Sequence, residues 1–163
     1  MRMDPVDWDG YTVYEEFFRL EASDRSGMAC HYVGTMGAIA MIWEGAEATD
    51  PPDSEIQRAV EQLNGADRSA VTILRDGRAL IVGGTAESGL IMVLQDSEEG
   101  PFWNAFSSAE PEIPATAQVE VVAGGQPGEY PATMILPLAP VLEAVREFVA
   151  TGGRSEAVTW EQD

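Results

Sequence analysis

The chain has no lysine, a single cysteine, a single histidine and no long apolar run. Cys30 alone can form neither an internal disulfide nor a multi-cysteine zinc site. The longest apolar stretch, Met36–Trp43, is far shorter than the roughly 20 residues needed to span a bilayer. The first ten residues carry three Asp and one Pro, where a signal peptide has a basic start and an apolar run. We therefore expect a soluble, cytoplasmic protein that makes no membrane contact.

Acidic residues dominate what is present. Nine arginines face 28 acidic residues in the 163-residue chain, which gives a net charge of -19 at pH 7. Such a surface repels nucleic acid and anionic lipid. It also accelerates encounter with a basic protein, by ~10–1000-fold at low salt. The charge therefore indicates a basic protein partner and excludes nucleic-acid binding, although it serves solubility as well.

The residues do not assemble into a recognisable catalytic or metal-binding motif. Cys30 and His31 are adjacent, and neighbouring side chains on a strand point to opposite faces, so they cannot easily form a thiolate–imidazole pair. An acidic run spaced like an EF-hand loop begins at Pro5, which offers no carboxylate as the first ligand. Val82-Gly83-Gly84-Thr85 lacks the remaining residues of a phosphate-binding loop. We expect no catalytic residue, metal or cofactor, and hence a protein that acts by binding.

Two segments have helical periodicity. Ser54 and Gln57 match a capping box ahead of an apolar stripe, and Gly65 follows its end. In the second segment, Pro140 suits the first helical position and Gly152 is placed to end the helix. Tyr11–Leu20 is aromatic-rich and is a candidate for a third, short helix, and strands alternate with turns over the rest of the chain.

The strand pattern predicts an antiparallel sheet. Asp76-Gly77 supplies the positive φ of a two-residue hairpin turn, and Gly83-Gly84 with Gly89 bracket another turn. EGAEATDPPD, residues 44–53, reads as a loop, and Tyr130–Leu136 reads as a strand. The fold class is therefore α+β: a single domain with an antiparallel sheet of about five to seven strands and two or three packed helices.

The C-terminal third contains an uncommon combination of short motifs: Gly124-Gly125, Glu129-Tyr130-Pro131, Glu143–Phe148, Thr151-Gly152 and Val158-Thr159-Trp160. Together they resemble the closing segment of the first-numbered family of bacterial polymorphic-toxin immunity proteins. Ser155 differs, since similar proteins often have Pro after the Arg at this point. Weaker similarity extends back to about residue 37.

The resemblance divides the chain into an immunity-protein domain over 36–163 and an unmatched N-terminal extension over 1–35. The extension is either native or in part an early start ahead of Met28 or Met36. The resemblance implies that the partner is a cognate toxin, typically of the deaminase superfamily. Such a toxin needs a basic channel for its substrate, and an acidic protein can occlude that channel. The alternative is an acidic adaptor that binds a different basic protein.

Candidate partner-binding residues combine predicted exposure with acidic charge. They lie in the segment 96–103 (DSEEGPFW), in the acidic pair before Ile113, and at the start of the predicted strand Tyr130–Leu136. The full set is Asp96, Glu98, Glu99, Phe102, Trp103, Glu110, Glu112, Glu129 and Tyr130. Phe102 and Trp103 are either an apolar anchor within an acidic rim or a cover for the sheet. By contrast, Phe148 and Trp160 lie on apolar faces, which favours the core.

Overall fold

The computed structural model describes residues 37–163, apart from Gly45 and Glu98. The predictions made for residues 1–35, for the Cys30–His31 pair, for the acidic run from Pro5 and for Glu98 therefore lie outside the described residues. All residues considered below belong to one compact unit, Met36–Asp163.

Seven strands form one antiparallel sheet in the order β2-β1-β3-β4-β5-β6-β9. Their bounds are β1 Ile39–Trp43, β2 Ala46–Thr49, β3 Ala70–Arg75, β4 Arg78–Thr85, β5 Gly89–Gln95, β6 Phe102–Phe106 and β9 Thr159–Gln162. A separate two-stranded hairpin consists of β7 (Gln118–Ala123) and β8 (Gln126–Pro131).

Two α-helices and one short helical turn complete the described part of the chain. The helices are α1 (Asp53–Glu61) and α2 (Leu138–Thr151), and a 3₁₀ turn spans Ala132–Met134. The predicted class, a single α+β domain with an antiparallel sheet and packed helices, is confirmed. No helix among these residues is long and apolar enough to cross a bilayer.

The helices cover one face of the sheet. Alternate side chains of the central strands point to that face, as the period of two in a strand requires. They pack against Ile56 and Val60 of α1 and against Val145 and Phe148 of α2, all of which are buried. Phe148 is fully buried and Trp160 packs partly buried against the same core, in agreement with the apolar faces seen in the sequence.

The β7–β8 hairpin covers part of the other face. Its core side chains are Val121 and Tyr130, which pack with Ile91 of β5 and with Met134. The hairpin approaches β4 very closely, because a Cβ added at Gly83 would lie 2.5 Å from the Cβ of Ala123. Gly83 therefore lies in the interior of β4 and makes room for the hairpin.

The two ends of the main sheet differ in what surrounds them. At one end β3 begins, β4 ends and β6 leads into the β7–β8 hairpin; we call this the hairpin end. At the other end, called the opposite end, β3 turns into β4 through Asp76-Gly77, and β5 connects to β6. The end of α2 also lies there, because Arg75 and Arg78 both donate hydrogen bonds to its final carbonyls.

The end of α2 is capped as the sequence predicts. Gly152 has φ of 73°, the left-handed conformation that glycine adopts most easily, and its N–H donates to Phe148 O at 2.7 Å. Arg78 Nη1 donates to Gly152 O at 2.7 Å, and Arg75 Nη1 donates to Val149 O. Two cations at a helix C-terminus also interact favourably with the helix dipole.

Four local predictions are wrong. Residues 44–53 contain strand β2, whose side chains alternate in burial and which pairs with β1 along its whole length. The predicted strand Tyr130–Leu136 ends at Pro131, after which Ala132–Met134 forms a 3₁₀ turn. The predicted turn between Gly83-Gly84 and Gly89 is confirmed, since the chain turns at residues 86–88, although β4 extends through Gly83-Gly84 to Thr85.

The third error concerns the start of α1. Pro52 is the N-cap residue, and its carbonyl accepts hydrogen bonds from the N–H groups of Glu55 and Ile56. The helix therefore begins before Ser54, and Ser54 is not its N-cap residue. The fixed φ of Pro52, -64°, already directs the chain into the first turn. The fourth error concerns Pro140, which is the third residue of α2 and not the first, since that helix begins at Leu138.

Candidate partner-binding surface

The structure separates the predicted binding residues into two groups. Asp96, Glu99, Phe102 and Trp103 lie at the opposite end of the sheet, in or beside the connection between β5 and β6. Glu110, Glu112, Glu129 and Tyr130 lie beyond the hairpin end, in the loop after β6 and in β8. The two groups do not form one continuous surface.

Asp96 is engaged in contacts within the domain. Its Oδ2 accepts a hydrogen bond from Trp103 Nε1 at 2.7 Å, and its Oδ1 lies 3.8 Å from Arg78 Nε. The guanidinium carbon of Arg154 lies 3.6 Å from the centroid of the Trp103 ring, within the range of a cation–π contact. This cluster of Arg78, Asp96, Trp103 and Arg154 holds β4, β6 and the segment after α2 together.

Phe102 and Trp103 lie on opposite faces of the sheet. Trp103 packs against the helix-side core, whereas Phe102 is half-buried and does not belong to that core. Adjacent residues in a strand cannot share a face, so the pair cannot act as one anchor. Of the two predicted roles, Trp103 therefore has that of covering the sheet. Glu99 is exposed, whereas Asp96 is only partly exposed.

The hairpin-end group carries exposed acid and little else that is charged. Glu110, Glu112 and Glu129 are exposed, whereas Tyr130 is only 7% exposed and packs in the hairpin core. From Ser107 to Met134 the chain contains four glutamates and no arginine. The negative potential here is consequently not offset by a nearby basic side chain on the same segment.

Glu120 is the fourth of these glutamates and was missed in the sequence. It lies directly opposite Glu129 across the hairpin, and both are exposed. Like charges at directly opposite positions destabilise a sheet. The register was readable in principle, because a turn at Gly124-Gly125 places Ala123 opposite Gln126 and Glu120 opposite Glu129.

Ile113 is a further candidate that the sequence does not predict, because its exposure depends on the conformation of the loop. It is 47% exposed, and it stands out in this respect among the large apolar side chains that the structure describes. Glu110 and Glu112 precede it in the same loop. The ends of the loop are held by hydrogen bonds from Ser107 N–H to Thr133 O at 2.8 Å and from Ala132 N–H to Ala117 O at 2.9 Å. An apolar side chain is thus presented next to acid on an anchored loop.

A buried serine fixes the tip of the hairpin. Ser69 is fully buried; its Oγ donates to Glu44 Oε1 at 2.8 Å and accepts from Gly125 N–H at 2.8 Å. The Ser69 N–H donates to the same carboxylate oxygen of Glu44. One side chain therefore joins the β1–β2 turn, the start of β3 and the hairpin turn, whose Gly124 and Gly125 have φ of 60° and 77°.

Replacing Ser69 with Ala should lower the free energy of unfolding by about 1–2 kcal/mol, because the buried serine loses its hydrogen bonds to Glu44 and Gly125. Equilibrium unfolding in urea measures this loss. Ser88→Ala, at an exposed turn position, is the control and should change stability by less than about 0.5 kcal/mol. Equal effects of the two substitutions would show that Ser69 does not fix the hairpin.

No group of three or more His, Cys, Asp or Glu side chains in the described part of the chain is arranged to hold a metal ion. The side chains at the hairpin end are suited to binding a partner. The carboxylates can pair with cationic groups, and Ile113 can enter an apolar pocket.

Comparison with known families identifies a match to most of this domain. The model of a family described as immunity protein Imm1 matches residues 44–162, from the end of β1 through β9. The match includes both helices, the β7–β8 hairpin and the C-terminal motifs that carry the sequence resemblance. No curated protein and no solved structure gives a significant match to the chain.

Proposed function

Because the chain belongs to the Imm1 family of immunity proteins, we propose that it binds a cognate toxin of the deaminase superfamily and neutralises it by occluding a basic substrate channel. The family membership, which confirms the resemblance seen in the C-terminal third, is the observation that carries the proposal. The class of toxin and the mode of inhibition are inferred from that resemblance and from charge.

Electrostatic complementarity supports occlusion as the mechanism. A deaminase that acts on a nucleic acid must attract phosphates with Arg and Lys and must hold a flipped base in a pocket. The net charge of -19 matches such a surface, and complementary charge raises the rate of productive encounter. Carboxylates that pair with the channel cations would displace the substrate phosphates.

We place the toxin contact at the hairpin end of the sheet. Glu110, Glu112, Glu120 and Glu129 supply an acidic rim, and Ile113 supplies an apolar side chain that the toxin can desolvate. Tight interfaces depend on a few buried anchors surrounded by a polar rim, and Ile113 with the neighbouring Glu110 and Glu112 offers both kinds of side chain. The group at the opposite end suits this role less well, because Asp96 and Trp103 already satisfy each other.

Co-expression with the product of the gene immediately upstream tests the proposal. We expect the two proteins to co-purify, the chain to rescue cells from that toxin, and the purified chain to abolish deamination by the purified toxin. Co-purification without rescue would instead support the acidic adaptor, and absence of a complex would contradict both functions.

Ile113→Ser should weaken toxin binding by about 10- to 100-fold, because the loss of a buried apolar anchor costs on the order of 1.5–3 kcal/mol at an interface. The free domain should keep its stability, since the side chain is exposed. Isothermal titration calorimetry measures the affinity for the toxin, and thermal unfolding measures the stability of the free domain. Ala115→Ser, at another exposed position of the same loop, is the control and should bind as the wild type does.

A further inference from the structure

A cavity of about 340 Å³ lies between α1 and the hairpin-end portions of β1 and β3. Its floor is apolar and buried, formed by Met41, Leu63 and Val71, and Trp43 and Ala59 line its walls. This volume is at the lower end of the range for small-ligand pockets and is large enough for one aromatic or branched side chain. None of the residues proposed to contact the toxin lines this cavity.

Two arginines line the same cavity. Arg58 projects from α1 and Arg68 precedes β3, and both are exposed. Arg68 Nη1 donates a hydrogen bond to Gln62 Oε1 at 2.5 Å. Within the described part of the chain, neither guanidinium has a carboxylate oxygen at salt-bridge distance.

The acidic residues beside these arginines do not neutralise them by direct pairing. Glu55 lines the cavity but forms no ion pair there. The Asp67 carboxylate accepts a hydrogen bond from Asn64 Nδ2 at 2.7 Å, and this bond, with the neighbouring charge of Arg68, keeps the pKa of Asp67 below its usual value. The carboxylate of Asp67 is thus directed to Asn64.

Unpaired arginines at an apolar cavity are unexpected in a chain with 28 acidic and nine basic residues. Arg75 and Arg78 form ion pairs and bind the end of α2, and Arg154 covers Trp103. The charged side chains that line the cavity are two arginines and one glutamate, so the lining has a sign of charge opposite to that of the whole chain. Arginine presents its donors in a planar fork that suits a carboxylate, and that contact strengthens as water is excluded.

We propose that this cavity binds an acidic segment of the toxin, which inserts an apolar side chain and places an adjacent carboxylate against Arg58 and Arg68. The inference rests on the proposed function, since the toxin is the partner. Acidic surface attracts a basic protein in many orientations, whereas a single basic cavity that accepts a carboxylate defines one orientation. The cavity therefore confers register and specificity on a complex whose formation is accelerated by the opposite charge.

The sign of a charge substitution tests the proposal. Arg58→Gln and Arg68→Gln each make the protein more negative, so steering alone predicts equal or faster association with a basic toxin. If the arginines contact the toxin in the cavity, each substitution should instead weaken binding about tenfold, mainly through faster dissociation. Surface plasmon resonance with the purified toxin separates the two rates.

Arg146→Gln is the matched control, because Arg146 is exposed on α2 and does not line the cavity. It should leave the dissociation rate unchanged, and the melting temperatures of all variants should equal that of the wild type. Dissociation rates at Arg58 and Arg68 that match the Arg146 control would overturn the proposal.

A second probe examines the cavity without the toxin. Titration with 3-phenylpropanoate should shift the NMR signals of Arg58 Nε–H, Arg68 Nε–H and the Trp43 indole, and Arg58→Gln should reduce those shifts at least several-fold. The uncharged 3-phenylpropanamide should produce much smaller shifts. If 3-phenylpropanoate leaves these signals unchanged, the cavity does not recognise carboxylates and the proposal fails. If the probe binds but the wild type binds no toxin, the proposed function and the toxin as occupant are both wrong, and only the cavity chemistry is supported.

Discussion

Changing Glu129 to Lys should weaken toxin binding by about 100-fold and at the same time stabilise the free domain. The substitution replaces an attraction to toxin cations with a repulsion, for which about 3 kcal/mol is a moderate value among measured interfacial charge pairs. In the free domain, Glu120 and Glu129 lie directly opposite each other in β7 and β8. Opposite charges at such positions are favourable, so we expect about 0.5 kcal/mol of added stability.

A double-mutant cycle separates the two effects. Glu120→Lys alone should behave like Glu129→Lys, while the double substitution restores a like-charged pair and should return the stability to about that of the wild type. Toxin binding should weaken further in the double variant, because each position contributes its own contact. Equilibrium unfolding and calorimetric titration measure the two quantities on the same samples.

Glu99→Lys makes the same change in net charge at the opposite end of the sheet, where the side chain is also exposed. Long-range steering is altered similarly by both substitutions, so the difference between them reports local contact. A large loss of affinity at Glu99 together with a small one at Glu129 would place the toxin at the β5–β6 connection and contradict the surface proposed above.

The repulsion between Glu120 and Glu129 bears on function as well as on stability. A threonine at either position would relieve the repulsion and suit a strand better than glutamate does. Natural proteins commonly retain locally destabilising residues where binding or activity requires them. The basic toxin proposed above would account for the Glu120–Glu129 pair, which the folding of the domain does not require.

The sequence predicted those parts of the fold that depend on local periodicity. Apolar spacing identified both helices, and Asp76-Gly77 identified the β3–β4 hairpin, because each signal depends only on residues close in the chain. Strand β2 was missed because AEAT is short and weakly apolar, and it is a strand only through its pairing with β1. The role of Gly83 depends on a hairpin some forty residues later, which no local pattern reveals.

The candidate site was harder to predict, since exposure and proximity are properties of the folded chain. The acidic character of the loop before Ile113 and of Glu129 could be read from composition. The hydrogen bond between Asp96 and Trp103 and the burial of Tyr130 could not be read from the sequence. The opposite orientation of Phe102 and Trp103, by contrast, follows from the sequence alone once both residues are assigned to one strand.

Gly83→Ala should lower the free energy of unfolding by about 1–3 kcal/mol, the usual cost of overpacking a close contact. The added methyl group would lie 2.5 Å from the Cβ of Ala123 and 3.3 Å from the Ser69 carbonyl oxygen. Neither backbone nor methyl group can rotate away, so the β7–β8 hairpin must shift outward. We also expect weaker toxin binding, although no residue of the proposed interface is changed.

Ala123→Gly supplies the compensating change. It removes the clashing methyl group of Ala123. The Cα at position 123 would then lie 3.3 Å from the Cβ introduced at position 83, a tight but tolerable distance. Alone it should cost about 0.5–1 kcal/mol, the usual penalty of glycine in a strand. Combined with Gly83→Ala it should recover most of the stability and the toxin affinity, which gives a favourable coupling on the order of 1–2 kcal/mol. Stability restored without affinity would mean that the hairpin does not contact the toxin, whereas strictly additive losses of stability would mean that Gly83 does not determine where the hairpin packs.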